Sequence, residues 1–222
     1  MVQVIVISSV NQKSGKTLLT AHLSVMLAKE YKTAVFGGAN NSTLSDFIAK
    51  RHTLNLGKDY NLPIPDYKTL NKQTFETIEN YDVVILDSPD SKYFCQADIF
   101  ITPMRENEGI NALSSSNSLY ATLVWNSKKQ RASSNKNTFK WIVVPNDEYN
   151  KEEYQILEKS SKLLGFSIAP YFTDRPEYTQ GLKTGITVID KDIPKLKTLF
   201  DLPDLYARRD LKKLTDFIWQ KS

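Results

Sequence analysis

The chain has 222 residues, 41% hydrophobic and 24% charged, with a formal net charge of +4. That balance suits one large globular domain or two small ones and excludes collagen-like, low-complexity and globally disordered chains. No apolar run is long enough to span a bilayer, and the one cysteine, Cys95, cannot close an internal disulfide, which fits a reducing cytoplasm. Residues 2–8 lack a basic leader and a cleavage site and do not read as a signal peptide. Glycine is scarce: there are 8, where average usage of about 7% would give roughly 16.

Residues 2–9 predict a buried strand, followed by the polar loop Asn11-Gln12-Lys13-Ser14-Gly15-Lys16. A helix starts at Thr17, with Leu19, Leu23, Met26 and Leu27 on one stripe, and residues 33–36 form a second strand. This is a βαβ unit with parallel strands. Residues 45–50 carry helix signals after a cap at Ser42 or Thr43, residues 52–66 read as loop, and residues 75–79 end a helix. Buried strands follow at 81–89 and 98–103. A helix is expected over 111–125, then a polar, basic connection over 126–138. The remaining elements are a strand at 141–144, a helix over 152–164 capped by Gly165, a strand at 166–170 and a closing helix over 205–220. The pattern predicts an α/β fold over 1–222, a single P-loop NTPase-like domain with a mostly parallel sheet and helices on both faces.

Gly15-Lys16-Thr17 stands between the first strand and the first helix. A phosphate needs backbone N–H groups at a helix N-terminus, a lysine for its oxygens and a hydroxyl for Mg²⁺. The full pattern asks for glycine at position 10, which is Val10. The plainer alternative is an ordinary turn capped by Ser14. Asp87, at the end of an apolar strand, stands where P-loop proteins place the carboxylate behind Mg²⁺, or else caps a turn. His22 and His52 have no partners at ligand spacing, so zinc is not expected.

Lys16, Thr17, Asp87-Ser88-Pro89 and residues 97–103 together resemble the ParA/MinD superfamily of P-loop ATPases. Longer stretches are similar to its MipZ branch, the ATPases that position the bacterial division plane. These are Phe47-Ile48-Ala49-Lys50-Arg51, Leu62-Pro63-Ile64-Pro65, residues 118–125 and Lys128-Lys129-Gln130-Arg131-Ala132. Residues 164–170, Asp174-Arg175, Gly185-Ile186-Thr187-Val188-Ile189-Asp190 and Tyr206-Ala207-Arg208-Arg209-Asp210-Leu211 extend the match to the C-terminal region.

The resemblance implies ATP with Mg²⁺ as cofactors, a nucleotide-sandwich homodimer, non-specific DNA binding, and ParB-like and FtsZ-like protein partners. It places the protein in the bacterial cytoplasm, associated with the nucleoid. It assigns nucleotide contact to Lys13, Ser14, Gly15, Lys16, Thr17, Leu18, Asn146 and Asp174, and metal contact to Thr17 and Asp87. Asn146 also reads as a simple turn residue. Lys128, Lys129 and Arg131 are candidate DNA contacts, and the same charges suit a solvated face.

Two departures weigh on catalysis. The family loop carries a signature lysine and a glycine pair before Gly15. Aligned without a gap, the lysine falls on Asn11 and the glycines on Gln12 and Lys13; a two-residue deletion makes Lys13 the signature lysine. The gapless form keeps the loop length that a phosphate requires. The family also has Asp-x-Asp after the second strand, and here no acidic residue occurs between Glu30 and Asp46. Hydrolysis is therefore expected to be slow or absent. The alternatives are a nucleotide-independent interaction module and an active ATPase that recruits another carboxylate, such as Asp90.

Overall fold

Strands with apolar residues on both faces must be covered on both sides, and here they are. In this computed structural model, residues 2–38, 42–58, 60–71, 74–88, 90–114, 118–146, 148–173, 175–190, 193 and 202–219 are described. Among the described residues, seven parallel strands form one sheet: β1 (Gln3–Ile7), β2 (Thr33–Gly37), β3 (Asp66–Thr69), β4 (Val83–Asp87), β5 (Ile99–Met104), β6 (Lys140–Pro145) and β7 (Ser167–Ile168). Their spatial order is β3-β2-β4-β1-β5-β6-β7. The expected α/β class and parallel sheet are therefore correct.

Alternate residues along each strand feed two cores. Ile5, Ile7, Val35, Ile85, Ile101 and Ile142 pack under α1 (Lys16–Leu27), α2 (Ser42–Lys58), α7 (Pro176–Thr184) and α8 (Leu202–Trp219). Val4, Val6, Phe36, Leu86, Phe100 and Trp141 pack under α4 (Glu106–Ser114), α5 (Leu119–Ser133), α6 (Lys151–Leu164) and a 3₁₀ turn at Ser91–Gln96. A short α3 (Thr74–Thr77) precedes β4. Every residue of α1 from Leu19 to Val25 is buried, as befits a helix enclosed by sheet and neighbouring helices.

Three sequence expectations give way. First, α2 continues through 52–58, which had read as loop; Gly57 stands only in its last turn, where a glycine costs little. Second, the helix expected over 111–125 is two helices. Ser118 caps the second by accepting from the Ala121 N–H at 3.0 Å, and α5 runs on to Ser133 through the expected connection. Third, Asp66–Thr69 forms a polar edge strand on β2. A further helix, α7, starts at Pro176, since proline suits a first helical position. Gly165 does close α6 in the left-handed region, φ 69°.

One guanidinium joins three of the chain's distant segments. Arg51 on α2 is fully buried; it donates twice to the Asp190 carboxylate, at 2.7 and 2.9 Å, and to the carbonyls of Gly185 and Pro63. Asp190 also accepts from the Thr187 N–H and hydroxyl. Arg175 and Asp210 form a second bridge, at 2.7 Å, between α7's N-terminus and α8. These contacts join the same stretches that carry the family resemblance.

His22 lies beside this clamp, fully buried, with Nε2 3.0 Å from the Tyr178 carbonyl. A carbonyl only accepts, so the neutral ring carries its proton on Nε2. Burial lowers its pKa to about 4; the Tyr178 carbonyl and Asp190 pull upward and Arg51 downward. Because the folded value lies below the unfolded one, the unfolded chain takes up the extra proton first as pH falls. The stabilisation is complete above about pH 6.5 and is lost progressively towards pH 4, by roughly 3 kcal/mol. Denaturant unfolding across this interval should show that loss. His22→Gln should flatten it, and an unchanged slope in that variant would rule His22 out as its source.

Candidate phosphate site

The loop after β1 and the end of β4 meet because those strands are neighbours, with Ile7 opposite Asp87. Gly15 is the residue before α1, with φ 81° and ψ 11°. No side chain caps this helix start. Its first N–H groups are thus available to an anion. Ser14 points elsewhere: its hydroxyl donates to Ser9 Oγ at 2.6 Å, so the Ser14-capped turn is not formed.

Ser9 organises the loop. Its hydroxyl donates to the Asn11 carbonyl at 2.7 Å and accepts from Lys16 Nζ at 2.8 Å. Lys16 Nζ also reaches the Asn11 carbonyl, at 3.3 Å. Burial pulls the Lys16 pKa down, and the Asp87 charge opposes that shift. Thr17 Oγ1 donates to Asp87 Oδ2 at 3.3 Å. A lysine, a hydroxyl and a carboxylate are therefore gathered at the carboxyl ends of the central strands, where doubly wound sheets bind ligands.

Asn146 follows β6 and is buried against the same loop. Its Nδ2 donates to the Ser14 carbonyl, and its Oδ1 is buried without a hydrogen-bond partner among the described residues. A Cβ on Gly15 would stand 2.8 Å from Asn146 Nδ2. Gly15→Ala therefore meets both a left-handed backbone and a side-chain collision. We expect it to lower the unfolding free energy by at least 1–2 kcal/mol, roughly the cost of left-handed backbone for an L-residue. Equilibrium denaturation measures this, and a variant as stable as the parent would contradict it.

Lys13 has φ 61°, the left-handed region that glycine enters most easily. In the gapless alignment this is one of the two glycine positions. Lys13, Gly15, Leu18, Arg105, Asn146 and Phe172 line a cleft of about 60 Å³. Ligand pockets usually span about 300–1,000 Å³, so a base entering here must widen the cleft. Asp174 lies outside the described residues.

The basic segment divides on α5. Tyr120, Val124, Ser127 and Arg131 recur at helical spacing on its buried side. Arg131 pairs with Asp98 and also donates to the carbonyls of Cys95 and Asn137. Only 8% of it is exposed, so the structure removes it from the candidate DNA contacts. Lys128 folds back over Trp141 and donates to the Gly165 carbonyl at 3.0 Å. Of the three, Lys129 remains on the outer surface, over the exposed Trp125 ring.

The family model of the ATPase MipZ matches residues 68–218. The chain belongs to the MipZ ATPase family. The match holds Asp87 and Asn146, and the loop after β1 precedes it. No curated protein matches the chain in sequence. Among solved structures, apo McdA of Cyanothece is 20% identical with a TM-score of 0.62, covering 95% of this chain and 100% of that one. MinD of Aquifex aeolicus, a cell division protein, is 19% identical with a TM-score of 0.61, over 99% and 98%. A plasmid partition protein of Borrelia burgdorferi, bound to AMPPNP, is 14% identical with a TM-score of 0.60, over 100% of both. These likenesses show a shared fold. Among the described residues, no helix of this MipZ-family chain is long and apolar enough to cross a membrane.

Sequence reading missed two members of the site. Ser9 was visible as the second of two serines ending an apolar strand. Tyr67 follows directly on the stretch read as loop and carries no motif; β3 pairs it with Val35 and its ring crosses Gly37. Burial and the Asp87 charge both raise the Tyr67 pKa.

Proposed function

We propose that this MipZ-family chain binds ATP with Mg²⁺, hydrolyses it slowly, and acts in placing a division site or positioning chromosomes or plasmids. The observation that carries this is the convergence of Lys16, Thr17 and Asp87 at one end of the sheet. The group fits: hard oxygen ligands stand beside a lysine and an uncapped helix start, and the buried Asn146 Oδ1 is an acceptor awaiting a donor such as an adenine amine. Lys16 would turn from Ser9 to the β- and γ-phosphates, and Thr17 would ligate the metal with Asp87 behind it. Bound Mg²⁺ supplies neutralisation of phosphate charge.

Slow hydrolysis follows from the end of β2, where Gly37 and Gly38 leave no carboxylate to orient water. Asp90 is a poor substitute, because it accepts from the Lys92 N–H and pairs with Lys92 Nζ at 2.6 Å. The positioning role is supported by family membership and by neighbours named as cell division, septum site-determining and plasmid partition proteins. A MinD neighbour is also found in complex with MinC. A nucleotide-gated homodimer, ParB-like and FtsZ-like partners, DNA contact through Lys129 and Lys128, and a nucleoid-associated cytoplasmic location belong to the same reading.

Calorimetry with Mg-AMPPNP, together with phosphate-release kinetics on Mg-ATP, tests it. Binding with little or no release is expected. A second reading, a nucleotide-independent interaction module, draws on the small cleft and on the engagement of Lys16 by Ser9. Absence of heat at millimolar nucleotide would favour that reading.

A further inference from the structure

Gly37 closes β2, and the β3 side chain Tyr67 occupies the space above it. A Cβ built on Gly37 would meet Tyr67 Oη at 2.8 Å and Cε2 at 3.1 Å. Gly37 is also the register partner of Asp87 on the next strand. Neighbouring strands lie about 4.8 Å apart, so the phenol hydroxyl stands above the backbone position beside the Asp87 carboxylate. Tyr67, Val35 and Ile85 share the sheet face that α1 covers, and α1 brings Thr17 to Asp87 on that side. The end of β2 that carries no acid is thus overlaid by a hydroxyl from β3.

We propose that Tyr67 completes the terminal-phosphate end of the site: its hydroxyl donates to the terminal phosphate of a bound nucleoside triphosphate and makes the site prefer triphosphate to diphosphate. This role rests on the nucleotide-binding reading above. A phenol has an ordinary pKa near 10 and keeps its proton at neutral pH. It can therefore donate to a phosphate oxygen, which only accepts, without adding negative charge beside it. The same neutral group does not take a proton from an attacking water. Binding without rapid hydrolysis is the consequence. The Gly37–Tyr67 pair is the enabling device, since any side chain at position 37 collides with the phenol.

Calorimetry on the full chain with Mg-AMPPNP and Mg-ADP tests the role. Tyr67→Phe should weaken Mg-AMPPNP roughly 10- to 100-fold, the size of one hydrogen bond to a charged group, and leave Mg-ADP unchanged. Gly37→Ala, which displaces the hydroxyl, should reproduce that selective loss. The double variant should lose no more than either single one, because both remove the same contact. Equal losses for the two nucleotides, or no loss, would overturn the role of Tyr67 while leaving nucleotide binding standing. Failure of the parent chain to bind either nucleotide would overturn both.

Discussion

Asp190→Ala should lower the unfolding free energy by about 3–5 kcal/mol, the usual effect of breaking a buried ion pair by removing one partner. The Arg51 guanidinium is fully buried. With the carboxylate gone, it retains only the carbonyls of Gly185 and Pro63. Thr187 loses its acceptor at the same time, so the turn that ends in Asp190 loosens together with α2. Asp190→Asn preserves shape and one acceptor oxygen and should fall between the parent and the alanine variant. Urea titration at pH 7 checks both. A loss below about 1 kcal/mol, the range of exposed pairs, would show that water reaches Arg51 and that the clamp is not sealed.

The second large effect concerns the nucleotide. Lys16→Ala should weaken Mg-AMPPNP roughly 10- to 100-fold, since a lysine–phosphate contact is a charge-assisted hydrogen bond. Thermal stability should change little, because the variant removes a partly buried ammonium along with its contacts to Ser9 and Asn11. That contrast separates a binding role from a structural one. Phosphate release by the parent should be slow or undetectable. Sustained multiple-turnover release, abolished in Lys16→Ala, would refute the claim that the end of β2 is catalytically incomplete. Nucleotide-gated dimerisation has its own readout: size exclusion should show a mass increase with Mg-AMPPNP in the parent and not in Lys16→Ala.

Much of this site was legible because its signals are local. A lysine and a threonine following a glycine after an apolar strand, and an aspartate ending another, are each visible within a few residues. Their meeting required only that the two strands be neighbours, which a parallel α/β order makes probable. The DNA candidates show the opposite case. Lys128, Lys129 and Arg131 look alike in sequence, yet helical phase sends Arg131 inward to Asp98 and leaves Lys129 outside. Loss of Lys129 is therefore the substitution in that set whose effect on DNA affinity would be free of a folding cost.

The scarcity of glycine also acquires a position. Lys13 holds a left-handed backbone that glycine would adopt without strain, while Gly37 is kept where only a hydrogen fits beneath a phenol. Sequence alone determined the α/β class, the candidate site residues Gly15-Lys16-Thr17 and Asp87, and the missing acid after β2, because each is written in neighbouring residues. Only the tertiary structure decided that Arg51 binds Asp190, that Asn146 meets Ser14, and that Tyr67 covers Gly37. Those contacts join residues 139, 132 and 30 positions apart. They depend on strand order and helix packing, and no local pattern of hydrophobicity or turn residues encodes which distant side chain arrives.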